Sequence, residues 1–164
     1  MKTKFLLVFA ILLMSSLAPH AQQTSSIEKN SLSFNILGTG SYVGVSYERL
    51  VFDRAFLEVG LGVIGYGIGG TVYPLKKIEP KQINPFIGIK YTNHAIVDGV
   101  NKSATYLPVG VTFFRENKMN FSFDAGPSYF YYQSPGYKPT EEELKKYPYS
   151  DVGFWGNIKV GFRF

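Results

Sequence analysis

The sequence predicts an all-β chain that closes into an eight-stranded antiparallel, up-and-down transmembrane β-barrel. Three observations carry the prediction. Apolar residues alternate with small or polar ones at a period of two in eight successive runs. Aromatic residues reach 16 %, with 14 Phe and 12 Tyr alongside 17 Gly, an enrichment that points to strands where no helical period accompanies it. The connections between runs also alternate in length, as a barrel with both termini on one side of a membrane requires.

The chain of 164 residues has room for one domain. Its start combines Lys2 and Lys4, an apolar run from Phe5 to Met14, and then Ser15 to Ala21, the layout of a secretory signal peptide. That run is too short for a spanning helix, which needs roughly 20 residues. Residues 1–21 are therefore expected to be a removable leader and residues 22–164 the barrel, with Ala18 as a second cleavage point. Removal takes two lysines and no acid, so the formal net charge of +5 falls to +3. This modest charge carries no nucleic-acid partner. The absence of Cys excludes disulfides and a lipid-modified N-terminal Cys.

The runs are read in order from their alternation. The first, Ser31 to Leu37, sets Leu32, Phe34 and Ile36 against Ser33 and Asn35, and Gly38 to Ser41 then turn the chain. The second, Tyr42 to Phe52, sets Val43, Val45 and Tyr47 against Gly44, Ser46 and Glu48, with a tight turn at Asp53 and Arg54. The third sets Leu57, Val59 and Leu61 against Phe56, Glu58 and Gly60. The fourth, Gly67 to Leu75, is too rich in Gly to assign its faces, and Lys76 to Gln82 connect it onward. The fifth sets Ile87, Ile89 and Tyr91 against Gly88, Lys90 and Thr92, and His94 to Ala104 reads as a long loop. The sixth sets Leu107, Val109, Val111 and Phe113 against Tyr106, Gly110 and Thr112. After a charged turn, Arg115 to Lys118, the seventh sets Met119, Phe121 and Phe123 against Asn120, Ser122 and Asp124. A long insertion from Gln133 to Ser150 precedes the eighth, Val152 to Phe164.

A sheet in hydrocarbon cannot leave an edge unpaired, and eight strands is the smallest usual closure. The face chemistry separates this chain from a lipocalin-like soluble carrier, whose outside would be rich in Lys and Glu. Here the polar face is mostly Gly, Ser, Asn and Thr, which suits a narrow interior filled by side chains. The turns after strands two, four and six fall on one side. The longer connections, together with the short one after strand one, fall on the other.

Phe154, Ile158, Val160, Phe162 and Phe164 alternate up to a terminal aromatic residue. In this the last strand resembles the assembly signal of outer-membrane barrels, with Ile158, Val160, Phe162 and Phe164 at its core and Gly156 as a departure. Together with a leader ending in Ala21, Gln22 and Gln23, the chain is similar to the small porin-like outer-membrane β-barrel proteins of Bacteroidetes. The resemblance implies a Gram-negative outer-membrane location, and outer-membrane lipids and the barrel assembly machinery as partners.

The inward charges form the main candidate site: Glu48, Glu58 and Asp124 against Lys90, Lys159 and Arg163. Unpaired charges in a narrow lumen cost several kcal/mol each, so an ion-pair network is expected. Glu48 and Glu58, close across the Asp53 turn, need a shared cation from Lys159 or Arg163. Such a network either gates ions or simply fills the lumen, and eight strands leave only enough room for filling. Outward aromatics such as Tyr47, Tyr91, Phe113, Phe121, Tyr129 and Tyr131 read as a girdle.

A lipid-modifying enzyme, similar to lipid A deacylases, would need a Ser and His pair with a carboxylate. Only His94 follows the leader, and no motif sets a Ser beside it. No metal or cofactor site is expected. In the long insertion, Thr140 and Glu143 have capping-box spacing, which predicts a short helix. Tyr137, Tyr147 and Tyr149 beside it could meet an extracellular protein or glycan, or pack the loop down. The expected function is a structural or surface-interaction barrel without catalytic activity.

Overall fold

A computed structural model describes residues 27–74, 78–95, 101–133 and 150–164, and all regular structure in them is β apart from one 3-10 turn. The proposed leader, the insertion's helix, and Tyr137, Tyr147 and Tyr149 lie outside the described residues.

Period-two alternation lets each strand bury one face while the other stays apolar and exposed. The strands are β1 (Asn30–Leu37), β2 (Val43–Phe52), β3 (Ala55–Gly62), β4 (Gly65–Val72) and β5 (Ile83–Ala95). Next comes β6, in two segments (Asn101–Tyr106 and Val109–Phe114), and then β7 (Met119–Gln133) and β8 (Ser150–Arg163). The two segments of β6 are one strand, because both keep a single register with β5 and with β7. Pro108 lacks the N–H that a ladder needs, and the break falls there. Neighbours in the chain pair antiparallel all the way round, and β8 pairs back onto β1, with Phe34 opposite Val160. The sheet is a closed eight-stranded antiparallel barrel.

Facing follows the alternation. Phe34, Ile89, Phe123 and Ile158 are 50 %, 57 %, 57 % and 50 % exposed, while Asn35, Lys90, Asp124 and Asn157 on the opposite face are buried. The exterior of every strand is predominantly apolar, with Asn93, Ser103 and Thr105 as polar outward positions where β5 and β6 meet. Among the described strand residues, Arg49 is the only charged side chain at an outward position.

Three expectations change. Strand β4 resolves its facing: Tyr66, Ile68 and Val72 point out, and Gly67, Gly69 and Thr71 point in. The loop expected over 94–104 is largely strand, since β5 runs to Ala95 and β6 starts at Asn101. Polar His94 and Lys102 are cross-strand partners on the inward face there, so the apolar alternation fades although pairing continues. As expected, strand β7 runs to Gln133, where the insertion was read to begin, with outward Tyr129 and Tyr131 continuing its pattern.

The third change concerns the β1–β2 connection, which does not project outward. The 3-10 turn Gly38–Gly40 folds back into the barrel, with Gly38, Thr39, Gly40 and Ser41 all buried. Leu37 and Ser41 flank it at φ 68° and 63°. A left-handed backbone at such residues costs on the order of 1–2 kcal/mol each, so packing must hold the turn in place.

Candidate functional site

The interior is built in three layers from the inward positions of all eight strands. In the middle layer, register makes Glu48 and Glu58 direct cross-strand partners. Like charges opposite each other repel. Lys159, reaching in from β8, sits between them with Nζ 2.5 Å from Glu48 Oε1 and 3.3 Å from Glu58 Oε2. Lys90 extends the network, with Nζ 3.4 Å from Glu58 Oε2 and 2.9 Å from Asp124 Oδ2. Asp124 accepts further bonds from the Tyr106 hydroxyl at 3.1 Å and Asn157 Nδ2 at 3.2 Å. Glu58 accepts one from the Thr39 hydroxyl. Five of the six predicted charges are thus joined in one buried chain, Glu48–Lys159–Glu58–Lys90–Asp124.

Arg163 stands apart from that chain. Its Nε donates to the Glu28 carbonyl at 3.1 Å and its Nη2 to the same oxygen. Its guanidinium carbon lies 5.0 Å from the Phe56 ring centre and 4.6 Å from that of Phe114. Cation–π contacts of this kind are worth about 2 kcal/mol when desolvated. Arg163 therefore caps an apolar floor made of Ile27, Leu50, Phe56, Tyr73, Ile78, Phe86 and Phe114. Tyr73 anchors that floor, with rings 5.5 Å from Phe56 and Phe86 and its hydroxyl 2.9 Å from Thr112 Oγ1. The floor was not anticipated; its aromatic residues occupy inward positions at strand ends, and Phe56 is the visible trace of it in the alternation.

The top layer is the folded-back turn. A Cβ added to Gly60 or Gly67 would meet the Thr39 backbone, so glycine at these inward positions makes room for the turn. Above it, Ser41 Oγ lies 2.5 Å from His94 Nδ1. The His94 ring packs against Tyr42 and Trp155 at 5.3 Å and 5.1 Å, and Trp155 meets Phe130 at 5.9 Å. The structure therefore does place a Ser beside His94, contrary to the sequence reading. The two are 53 positions apart, so no local motif could show it.

Replacing Gly60 with Val is expected to lever the turn out, at a cost of about 1–3 kcal/mol for overpacking. The chain has no Cys, so a Thr39→Cys probe reports this cleanly. Its thiol should label slowly in the parent and rapidly with Gly60→Val; equal rates would mean that the turn is not wedged against Gly60.

No family model, curated protein or solved structure matches this chain. The geometry must therefore speak for itself. Ser41 and His94 are both fully buried, and His94 Nε2 has no hydrogen-bond partner among the described residues. A hydrolytic Ser–His pair needs a third group to orient the ring and a path for substrate. Among the described residues, no cluster of three His, Cys, Asp or Glu could hold a metal ion. The residues read as an assembly signal, Ile158, Val160, Phe162 and Phe164, lie on the exterior of the last strand and its end. Phe164 still exchanges backbone bonds with Asn30, at 3.0 and 3.2 Å.

Proposed function

We propose that this barrel is an outer-membrane protein of a Gram-negative bacterium, with a closed, side-chain-filled lumen and a structural or surface-interaction role. One observation carries the reading: the exterior is predominantly apolar on all eight strands, while five of the six lumen charges are paired inside. A water-soluble barrel gains nothing from exposing Phe34, Ile89 and Phe123. A bilayer makes that surface favourable and makes closure obligatory. Tyr66, Tyr129 and Tyr131 are exposed at the end carrying the β3–β4 and β7–β8 connections, where a girdle belongs. Membrane lipids and the assembly machinery are the partners this implies, and an extracellular protein or glycan would meet the connections at the mouth.

The filled lumen supports a non-conducting, non-catalytic role. Floor, ion pairs and turn occupy successive layers, and Ser41 with His94 packs the mouth without a third catalytic member among the described residues. Reconstituted in planar bilayers, the protein should give no conductance steps, and neither should Glu58→Gln. Steps in the parent protein, changed by Glu58→Gln, would replace this reading with an ion gate.

A further inference from the structure

At the end of the barrel bearing the Asp53–Arg54 turn, a cleft of about 560 Å³ is lined by Lys81, Phe113, Arg115, Glu116, Asn117 and Phe121. Small-molecule sites span about 300–1,000 Å³. Phe113 and Phe121 are cross-strand partners of β6 and β7, so the cleft's apolar wall is continuous with the exterior of the barrel. Its rim is charged. Lys81 pairs with Glu116 at 2.6 Å, while Arg115 has no acid partner among the described residues. The rim thus carries one surplus positive charge. The neighbouring Lys118 is already engaged, 3.2 Å from Glu28.

Both halves of the rim are held by hydrogen bonds to the backbone. Asn84 Nδ2 donates to the carbonyls of Glu79 and Gln82 at 2.8 and 2.9 Å, and Asn84 Oδ1 accepts from the Glu79 amide at 3.0 Å. The Lys81 amide donates to the Phe114 carbonyl at 2.7 Å, which ties the β4–β5 connection to the end of β6. Lys81 takes φ 62°, a conformation glycine or asparagine would adopt at less cost. Across the cleft, the Arg115 amide donates to the Met119 carbonyl at 2.8 Å and closes the hairpin. Two fastened turns therefore bring Lys81 and Arg115 to one cleft with an aromatic wall.

We infer that this cleft holds the phosphodiester headgroup of one bilayer phospholipid, with the phosphate between Arg115 and Lys81 and an acyl chain against Phe113 and Phe121. The inference rests on the membrane reading above. A guanidinium matches phosphate oxygens bidentately, and Arg115, which has no acid partner among the described residues, is available to do so. On binding, the phosphate displaces Glu116 from Lys81, and the freed carboxylate takes the ammonium of an ethanolamine headgroup and repels a headgroup that is purely anionic.

The test uses the full-length protein, folded in mild detergent and checked by its heat-dependent gel mobility. Native mass spectrometry then counts retained phosphatidylethanolamine or phosphatidylglycerol across a lipid titration. Lys81→Gln with Arg115→Gln should weaken retention of the tighter lipid about thirtyfold, roughly fivefold for each cation. Lys102→Gln, at the opposite end of the barrel, should change nothing. Glu116→Lys should tighten phosphatidylglycerol and weaken phosphatidylethanolamine. Equal retention by the parent and the double variant, both heat-shifted, overturns the lipid site and leaves the membrane reading standing. A parent protein that shows no heat shift and inserts into no vesicle overturns both.

Discussion

Replacing Lys159 with Met is expected to destabilise the folded barrel by about 3–5 kcal/mol, the usual cost of leaving a buried charge without its partner. Among the described residues, Lys159 is the only cation that bridges Glu48 and Glu58, which register fixes side by side. Once it is gone, Glu58 keeps Lys90 and the Thr39 hydroxyl, and Glu48 loses the partner it holds at 2.5 Å. Adding Glu48→Gln to Lys159→Met should therefore restore part of the loss, a non-additivity of about 1–3 kcal/mol in denaturant titration. Two costs that simply add would mean that the pair is not coupled. The exposed pair Lys81–Glu116 is the contrast: breaking it with Lys81→Met should cost about 1 kcal/mol or less, because solvent screens it. Raising the salt concentration should weaken the surface pair and leave the lumen pair almost unchanged.

Ile89→Arg is the second large effect. Ile89 sits midway along β5, is 57 % exposed, and is next to Lys90, which points the other way into the ion-pair chain. An arginine on the lipid face at mid-depth costs about 2–4 kcal/mol and falls towards zero near the interfaces. Refolding into lipid vesicles should show that loss at Ile89 and little at Ile83, near the strand's start. On a barrel surrounded by water the same change would stay within about 0.5 kcal/mol, as exposed substitutions usually do. The depth dependence is the informative part, since a uniform cost at both positions would point to a packing defect and not to a bilayer.

How much of this was legible depended on whether side chains marked their face. Strand β3 was plain, because Leu57, Val59 and Leu61 alternate with Phe56, Glu58 and Gly60 without interruption. Strand β4 was not: Gly65, Gly67, Gly69 and Gly70 carry no side chain to mark a face, and only the registers with β3 and β5 decide it. The nearness of Glu48 and Glu58 could be read from the two-residue turn, but their direct opposition could not: the turn pairs Phe52 with Ala55, and a bulge at Val51 shifts the register by one before Glu48 meets Glu58. The inward fold of Gly38 to Ser41 could not, since turn-forming residues look alike whether they point to solvent or into a lumen. Its trace lay elsewhere, in Gly60 and Gly67, whose missing side chains make sense only once Thr39 is seen against them. Arg163 shows a different limit. Alternation placed it inward with the other charges, but proximity to Phe56 and Phe114 at the floor, set by three separate strands, took it out of the ion-pair chain.

The central claim is that this apolar-walled barrel resides in an outer membrane. Its most direct test is fractionation of cells expressing the full chain, followed by gel electrophoresis with and without heating. The protein should appear in the outer-membrane fraction and migrate differently when unheated, as a closed barrel that resists detergent unfolding. A soluble periplasmic protein with one mobility under both conditions would contradict it.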